Sequence, residues 1–281
     1  MKQETCIVTG GNSGIGKATA TALARMGHKV VIVSRDVGKG EAALAELRKK
    51  SNTVAVQLVV GNLDNIENTK TLAKALSRLA PEMSVLINNA GVWMTKKNMT
   101  SDGLEYSFQV NHMGPFILSL LLLPVLKKNA PARIVNVNAG LYVKGALDLK
   151  ATPGGSDFHL MKTYMNTKLC NAMFTRKLAK AIEGSGVTVN ALHPGVIRTR
   201  LGDSPGLTGF FLRAFKLLWK APEKGADAPV WLATAPEVQN VNGKFFMLRK
   251  ETPYAKNACD DPLADGLWRL SAELSKVRFP V

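Results

Sequence analysis

Short apolar, β-branched runs alternate along the chain with stretches whose apolar residues recur every three to four positions. The runs at 5–9, 29–33, 54–60, 85–88, 133–137, 187–192 and 244–248 predict strands. Their apolar residues are continuous, as in strands covered on both faces. Between them, 15–26, 38–50, 65–80, 102–128, 160–183 and 223–235 carry helical periodicity. Repeated alternation of strand and helix predicts an α/β fold, a single-domain doubly wound parallel sheet with helices on both faces. The stretch 201–220 breaks the rhythm: rich in Leu and Phe and ending at Trp219, it is either core or a lid over an apolar ligand.

A length of 281 residues, 46% of them hydrophobic, suffices for one sizeable core. The formal charge of +16 widens the choice of partners, but the basic residues are scattered, with no run beyond Arg48-Lys49-Lys50. Solubility and attraction of phosphate-bearing ligands account for it better than nucleic acid, for which the sequence has no motif. Cys6, Cys170 and Cys259 are far apart and lack metal-ligand spacing, so no metal site is expected and a reduced compartment suits them. The apolar run 116–126 is short, contains Pro124 and ends at Lys127-Lys128, which predicts a buried core helix and no transmembrane segment. With strand-like sequence starting by Cys6, a cytoplasmic protein is expected.

Thr9-Gly10-Gly11-Asn12-Ser13-Gly14-Ile15-Gly16 joins the first strand to the first helix. In that context glycines permit a tight turn and let a pyrophosphate approach backbone N–H groups at a positive helix end. Gly10, Asn12, Ser13, Gly14, Ile15 and Gly16 are therefore candidate dinucleotide contacts, and the sheet is of the Rossmann type. The second strand ends at Val33-Ser34-Arg35-Asp36, where the adenosine ribose is read. Arg35 can pair with a 2′-phosphate, and Ser34 stands where an acid would repel one, so NADP(H) is the expected cofactor. Asp36 has two readings: an N-cap for the next helix, or an NAD-reading acid if the strand ran longer.

Tyr164 and Lys168 are four apart in a helical stretch and so share a face. A phenol needs help to exchange a proton near neutrality, and a neighbouring ammonium stabilises its phenolate. The pair suits general acid–base work on a hydroxyl or carbonyl. Asn111 precedes Pro115 by one helical turn, and the proline cannot donate to the Asn111 carbonyl. His159 and His193 read as structural histidines.

The glycine pattern, Asn88-Asn89-Ala90-Gly91, Asn111, Tyr164-Met165-Asn166-Thr167-Lys168 and His193-Pro194-Gly195 occur in an order and spacing that resemble the short-chain dehydrogenase/reductase family. The similarity covers about residues 5–250, and 140–161 together with Ser34-Arg35-Asp36 is similar to its retinol-dehydrogenase and WW-domain-oxidoreductase branch. The resemblance implies that Asn89, Ala90 and Gly91 support sheet and cofactor, and that Pro194, Gly195, Ile197 and Thr199 pass the nicotinamide. Asn62-Leu63 stands for the family's Asp-Leu beside adenine, where an amide can both donate and accept. Asn111 would hold a relay water, and Lys168 would hold the ribose beside Tyr164. The family's serine, three residues after Asn136, falls on Ala139, whose methyl cannot donate; Asn138 is the nearest replacement, at the cost of a bulge or turn. The segments 140–161 and 201–220 read as substrate-side insertions and 250–281 as a C-terminal extension.

These features predict an NADPH-dependent reductase of a carbonyl or imine on an apolar small molecule. Ala139 keeps two alternatives open: a weakly active or non-redox cofactor-bound protein, and a cyclase or isomerase on the same scaffold. The resemblance also implies a dimer or tetramer packed through 102–128 and 160–183.

Overall fold

The computed structural model describes residues 3–195 and 221–279. Strands β1 (Thr5–Thr9), β2 (Lys29–Ser34), β3 (Val56–Val60), β4 (Val85–Asn88), β5 (Ala132–Val137), β6 (Val187–His193) and β7 (Phe245–Met247) form a parallel sheet ordered β3-β2-β1-β4-β5-β6-β7. A short strand β8 (Lys250–Glu251) returns antiparallel at the β7 edge. The helices are α1 (Gly14–Arg25), α2 (Val37–Ser51), α3 (Ile66–Leu79), α4 (Tyr106–Lys128), α5 (Leu160–Ala181), α6 (Pro222–Thr234) and α7 (Asp261–Ser275).

Successive strand residues point to opposite faces, and here each face has its own core. Cys6, Val8, Val85 and Ile87 pack under α1, α2 and α6, whereas Ile7, Leu86 and Ile134 pack under α3, α4, α5 and α7. The chain reverses its winding between β1 and β4. A crevice therefore opens beyond the carboxyl ends of these strands, the position at which such sheets take ligands.

The strand and helix assignments made from periodicity stand, with shifts at the ends. β3 starts at Val56 because Asn52 caps α2 in the left-handed conformation and the chain turns there. The helix expected from 102 starts at Tyr106, after a turn through Gly103 at φ +72°. Within α4, residues Gln109–Met113 form a π turn: the Gly114 N–H bonds to the carbonyl of Gln109. Pro115 offers no N–H to continue the ordinary ladder.

Helix α7 was not foreseen within 250–281. Its signals are local: Asp260 accepts from the Leu263 N–H at 2.9 Å, and Pro262 stands in the first turn. Trp268 reaches the rings of Phe116 and Phe174, at 5.4 and 6.0 Å between centroids, and Ser271 meets His112 at 2.8 Å. Part of the α4–α5 face expected to meet a second copy is thus covered by the chain's own α7, and an oligomer through it gains no support.

At 23 residues α4 is long and apolar enough to cross a membrane, so length does not exclude a span as the run 116–126 suggested. Its most apolar window is 83% buried inside the protein. Burial accounts for its apolarity without assigning a compartment, and the cytoplasmic expectation gains no support from it.

Candidate active site

The glycine turn sits in the crevice. Gly10 and Gly14 have φ of +65° and +52°, which favours glycine, and α1 begins at Gly14. Among the described residues no side chain caps α1, so its first N–H groups face the crevice without a side-chain acceptor. Asn89 laces the turn to β4: its side-chain amide donates to the Thr9 carbonyl at 2.8 Å, while the Asn89 and Ala90 N–H groups donate to Thr9 Oγ1 at 3.0 Å. A Cβ on Gly16 would lie 2.4 Å from both Asn89 Nδ2 and the Gly10 carbonyl oxygen, so the turn closes only around glycine. This glycine-rich turn at an uncapped helix start fits a pyrophosphate.

At the end of β2, Ser34 is buried and donates through its hydroxyl to the Asp36 carbonyl at 2.8 Å. Asp36 caps α2, accepting from the Lys39 N–H at 2.8 Å, and that bond holds its carboxyl below the usual range. Of its two readings, the cap is the one the structure displays. Arg35 is exposed, with Nη1 donating to Tyr106 Oη at 3.2 Å. Its guanidinium thus ties the end of β2 to the start of α4, a tether the sequence did not reveal. Asn62 accepts the Leu63 N–H at 2.9 Å, and Leu63 points into the core.

Tyr164 and Lys168 are brought together as expected, 7% and 6% exposed. Lys168 Nζ donates to the Val137 carbonyl at 3.3 Å and lies 5.8 Å from the Tyr164 ring centre. Trp93 stacks on Tyr164 at 5.2 Å and 27° and is itself fixed by Nε1 donating to the Leu160 carbonyl at 3.0 Å. This aromatic partner was missed, since a single tryptophan after β4 carries no periodic signal. Asn111 is buried; its Oδ1 accepts from the Val92 N–H at 2.7 Å and its Nδ2 donates to Thr167 Oγ1 at 3.1 Å. A Cβ on Gly91 would sit 3.3 Å from Asn111 Oδ1 and 3.6 Å from Lys168 Nζ, so these two residues face each other across a glycine.

Ala139 lies two residues past the end of β5 at 8% exposure, its N–H donating to Asn138 Oδ1 at 2.9 Å. Asn138 in turn donates to the Lys168 carbonyl at 3.1 Å and is buried. One of its two amide N–H groups is thus engaged against α5. Pro194 is buried and Gly195 has φ +91°, where the chain leaves β6. Ile197, Thr199 and the 201–220 segment lie outside the described residues.

Burial sets the charge states of the pair. It pushes the Tyr164 phenol up to about 12 and the Lys168 ammonium down to about 8. The sequence suggested that the lysine would lower the phenol; desolvation outweighs it here, and Tyr164 stays protonated through neutral pH. For Lys168 the unfolded chain binds more protons than the folded one between its folded value, about 8, and its ordinary value, 10.5. Its contribution to stability therefore rises with pH across that window and falls away as pH drops through 8. The melting temperature of the wild type relative to Lys168→Met should climb from pH 8 to 10, and parallel profiles would refute this.

Fold and site define a dinucleotide-binding α/β protein with a buried tyrosine–lysine pair beside the crevice. The short chain dehydrogenase family model matches residues 4–206. Human retinol dehydrogenase 14 is 36% identical over 96% of this chain and 86% of that protein. Human retinol dehydrogenase 13 is 38% identical over 99% and 86%. Among solved structures, an uncharacterized protein from Mycobacterium Paratuberculosis superposes with a TM-score of 0.80 at 28% identity, over 99% of this chain and 96% of that one. The Pseudomonas aeruginosa RhlG/NADP active-site complex gives 0.69 at 25% identity, over 87% and 94%. The chain belongs to the short-chain dehydrogenase/reductase family, in its retinol-dehydrogenase-like branch, and is an NAD(P)-binding oxidoreductase.

Proposed function

We propose that the chain is an NADPH-dependent reductase of a carbonyl or imine on an apolar small molecule. The observation that carries this reading is Tyr164, a buried phenol that keeps its proton at neutral pH beside Trp93 and Lys168. A protonated phenol is the form that can give a proton to the oxygen of a carbonyl being reduced. Lys168, close to neutrality at its lowered value, takes part in replenishing that proton and holds the nicotinamide ribose. Asn111 supports the relay, its side chain joining the Val92 backbone N–H to the Thr167 hydroxyl.

The bound dinucleotide supplies the hydride. Gly10, Asn12, Ser13, Gly14, Ile15 and Gly16 would hold its pyrophosphate, Arg35 and Ser34 the 2′-phosphate, Asn62 and the backbone of Leu63 the adenine, and Pro194 and Gly195 the nicotinamide, with Asn89, Ala90 and Gly91 supporting sheet and cofactor. Apolar substrates are suggested by the retinol dehydrogenase relatives and by the Trp93 ring against Tyr164. The segments 140–161 and 201–220 form the substrate side in this reading. Ala139, standing where the family's serine is expected, favours the alternative of a weakly active or non-redox protein.

The test is NADPH oxidation with retinal, decanal and apolar ketones. Tight NADPH binding without turnover, unchanged in Ala139→Ser, would sink the reductase reading. Arg35→Ala should weaken NADPH by about 10- to 100-fold, as loss of a charge-assisted hydrogen bond worth ~1.5–3 kcal/mol implies, and NADH far less. Equal losses in fluorescence titrations would remove Arg35 from the choice of cofactor.

A further inference from the structure

If Ala139 offers no hydroxyl, the substrate oxygen needs another donor, and β6 ends next to β5 with a histidine. We propose that the His193 imidazole Nε2–H donates to the substrate oxygen in place of the missing serine. The proposal rests on the reductase reading above.

The sheet register puts the two positions side by side. Val137 pairs with Leu192, and the Asn138 N–H donates to the Leu192 carbonyl at 2.7 Å, so Ala139, just past β5, lies beside His193, the last residue of β6. The ring lies directly against the backbone after Ala139. A Cβ on Gly140 would stand 3.4 Å from His193 Cδ2 and 3.8 Å from Nε2. Glycine at 140 leaves the imidazole room beside the alanine. The neighbouring Asn138 amide donates to the Lys168 carbonyl and accepts the Ala139 N–H, which fixes it against α5.

The ring also has a defined proton. Among the described residues, His193 Nδ1 is sealed from solvent with no hydrogen-bond partner. A proton there would strand a buried donor, a costlier defect than a stranded lone pair, so Nε2 carries it. Burial, and then the charge of Lys168, lower the basicity of the ring and keep it neutral. A neutral imidazole N–H polarises a carbonyl without surrendering its proton, which leaves proton delivery to Tyr164. The balance is a hydride to carbon and the Tyr164 proton to oxygen, with His193 contributing a hydrogen bond only.

The experiment uses the full chain with NADPH and retinal, comparing His193→Ala, His193→Gln and Ala139→Ser singly and combined. His193→Ala should lower kcat by ~10²–10³-fold, the loss typical of one oxyanion donor, with NADPH affinity in fluorescence titration nearly unchanged. His193→Gln, whose amide nitrogen reaches a similar point, should recover much of that rate. In the Ala139→Ser background the His193→Ala loss should shrink below about tenfold, because the serine supplies the bond. Imidazole ¹⁵N spectra should show a neutral Nε2–H form that shifts when retinol joins the NADP⁺ complex.

A wild-type rate in His193→Ala overturns the proposal and leaves the reductase reading standing. Equal losses in both backgrounds also overturn it, since they mark a residue that shapes the site without serving the oxygen. Turnover appearing only with Ala139→Ser shows that His193 is no donor. NADPH binding without turnover in every variant overturns the reductase reading and this proposal together.

Discussion

Replacing Tyr164 by phenylalanine should cut turnover by ~10²–10⁴-fold, the usual contribution of a positioned general acid, while NADPH binding changes little. The substitution removes one oxygen and keeps the ring, so the stack on Trp93 at 5.2 Å survives. The helix around it is held by other bonds: Thr167 Oγ1 donates to the Tyr164 carbonyl at 2.8 Å and receives the Asn111 amide at 3.1 Å. With these contacts kept, the fold should not suffer. An inactive but stably folded, NADPH-binding variant is therefore the expected product. Turnover persisting at the wild-type level would place the proton donor elsewhere even in a confirmed reductase.

The features that could be read from the sequence are those whose physics is local or periodic. Strands such as Val30 to Val33 are apolar throughout because α-helices cover both their faces, and the glycine turn declares itself because a strand precedes it and a helix follows it. Asp36 could not be assigned beforehand, since its role turns on where β2 ends; a strand stopping at Ser34 made it a cap. Other features depend on neighbours distant in sequence. Tyr106 reaches Arg35 across 71 positions, and His193 meets Gly140 only because β5 and β6 are adjacent. The charge of the tyrosine–lysine pair was misjudged for a related reason: spacing shows that two groups share a helix face, but desolvation is set by the elements packed over them.

Gly16→Ala should disable the dinucleotide site and weaken the fold together. The added methyl would lie 2.4 Å from the Gly10 carbonyl oxygen, which is backbone, and from Asn89 Nδ2, which is bonded to the Thr9 carbonyl at 2.8 Å. Neither neighbour is the loose end of a flexible chain, so α1 must move away from β4 or the turn must open. Such overpacking costs ~1–3 kcal/mol, a fall of about 2–4 °C in Tm for each kcal/mol in a chain of this size. The loss in NADPH affinity should be at least about tenfold, because the N–H groups at the start of α1 are displaced from the phosphate they would meet. Gly38→Ala is the matched control: it lies in the first turn of α2, where an added Cβ meets only Asp36 Oδ1, at 3.7 Å. That change should leave NADPH binding alone and raise stability slightly, by ~0.4–1 kcal/mol, through the unfolded state. Thermal melts with and without NADPH distinguish the two. A Gly16→Ala protein that gains as much from NADPH as the wild type would show that the phosphate lies elsewhere, and with it the cofactor assignment of the whole crevice would fall.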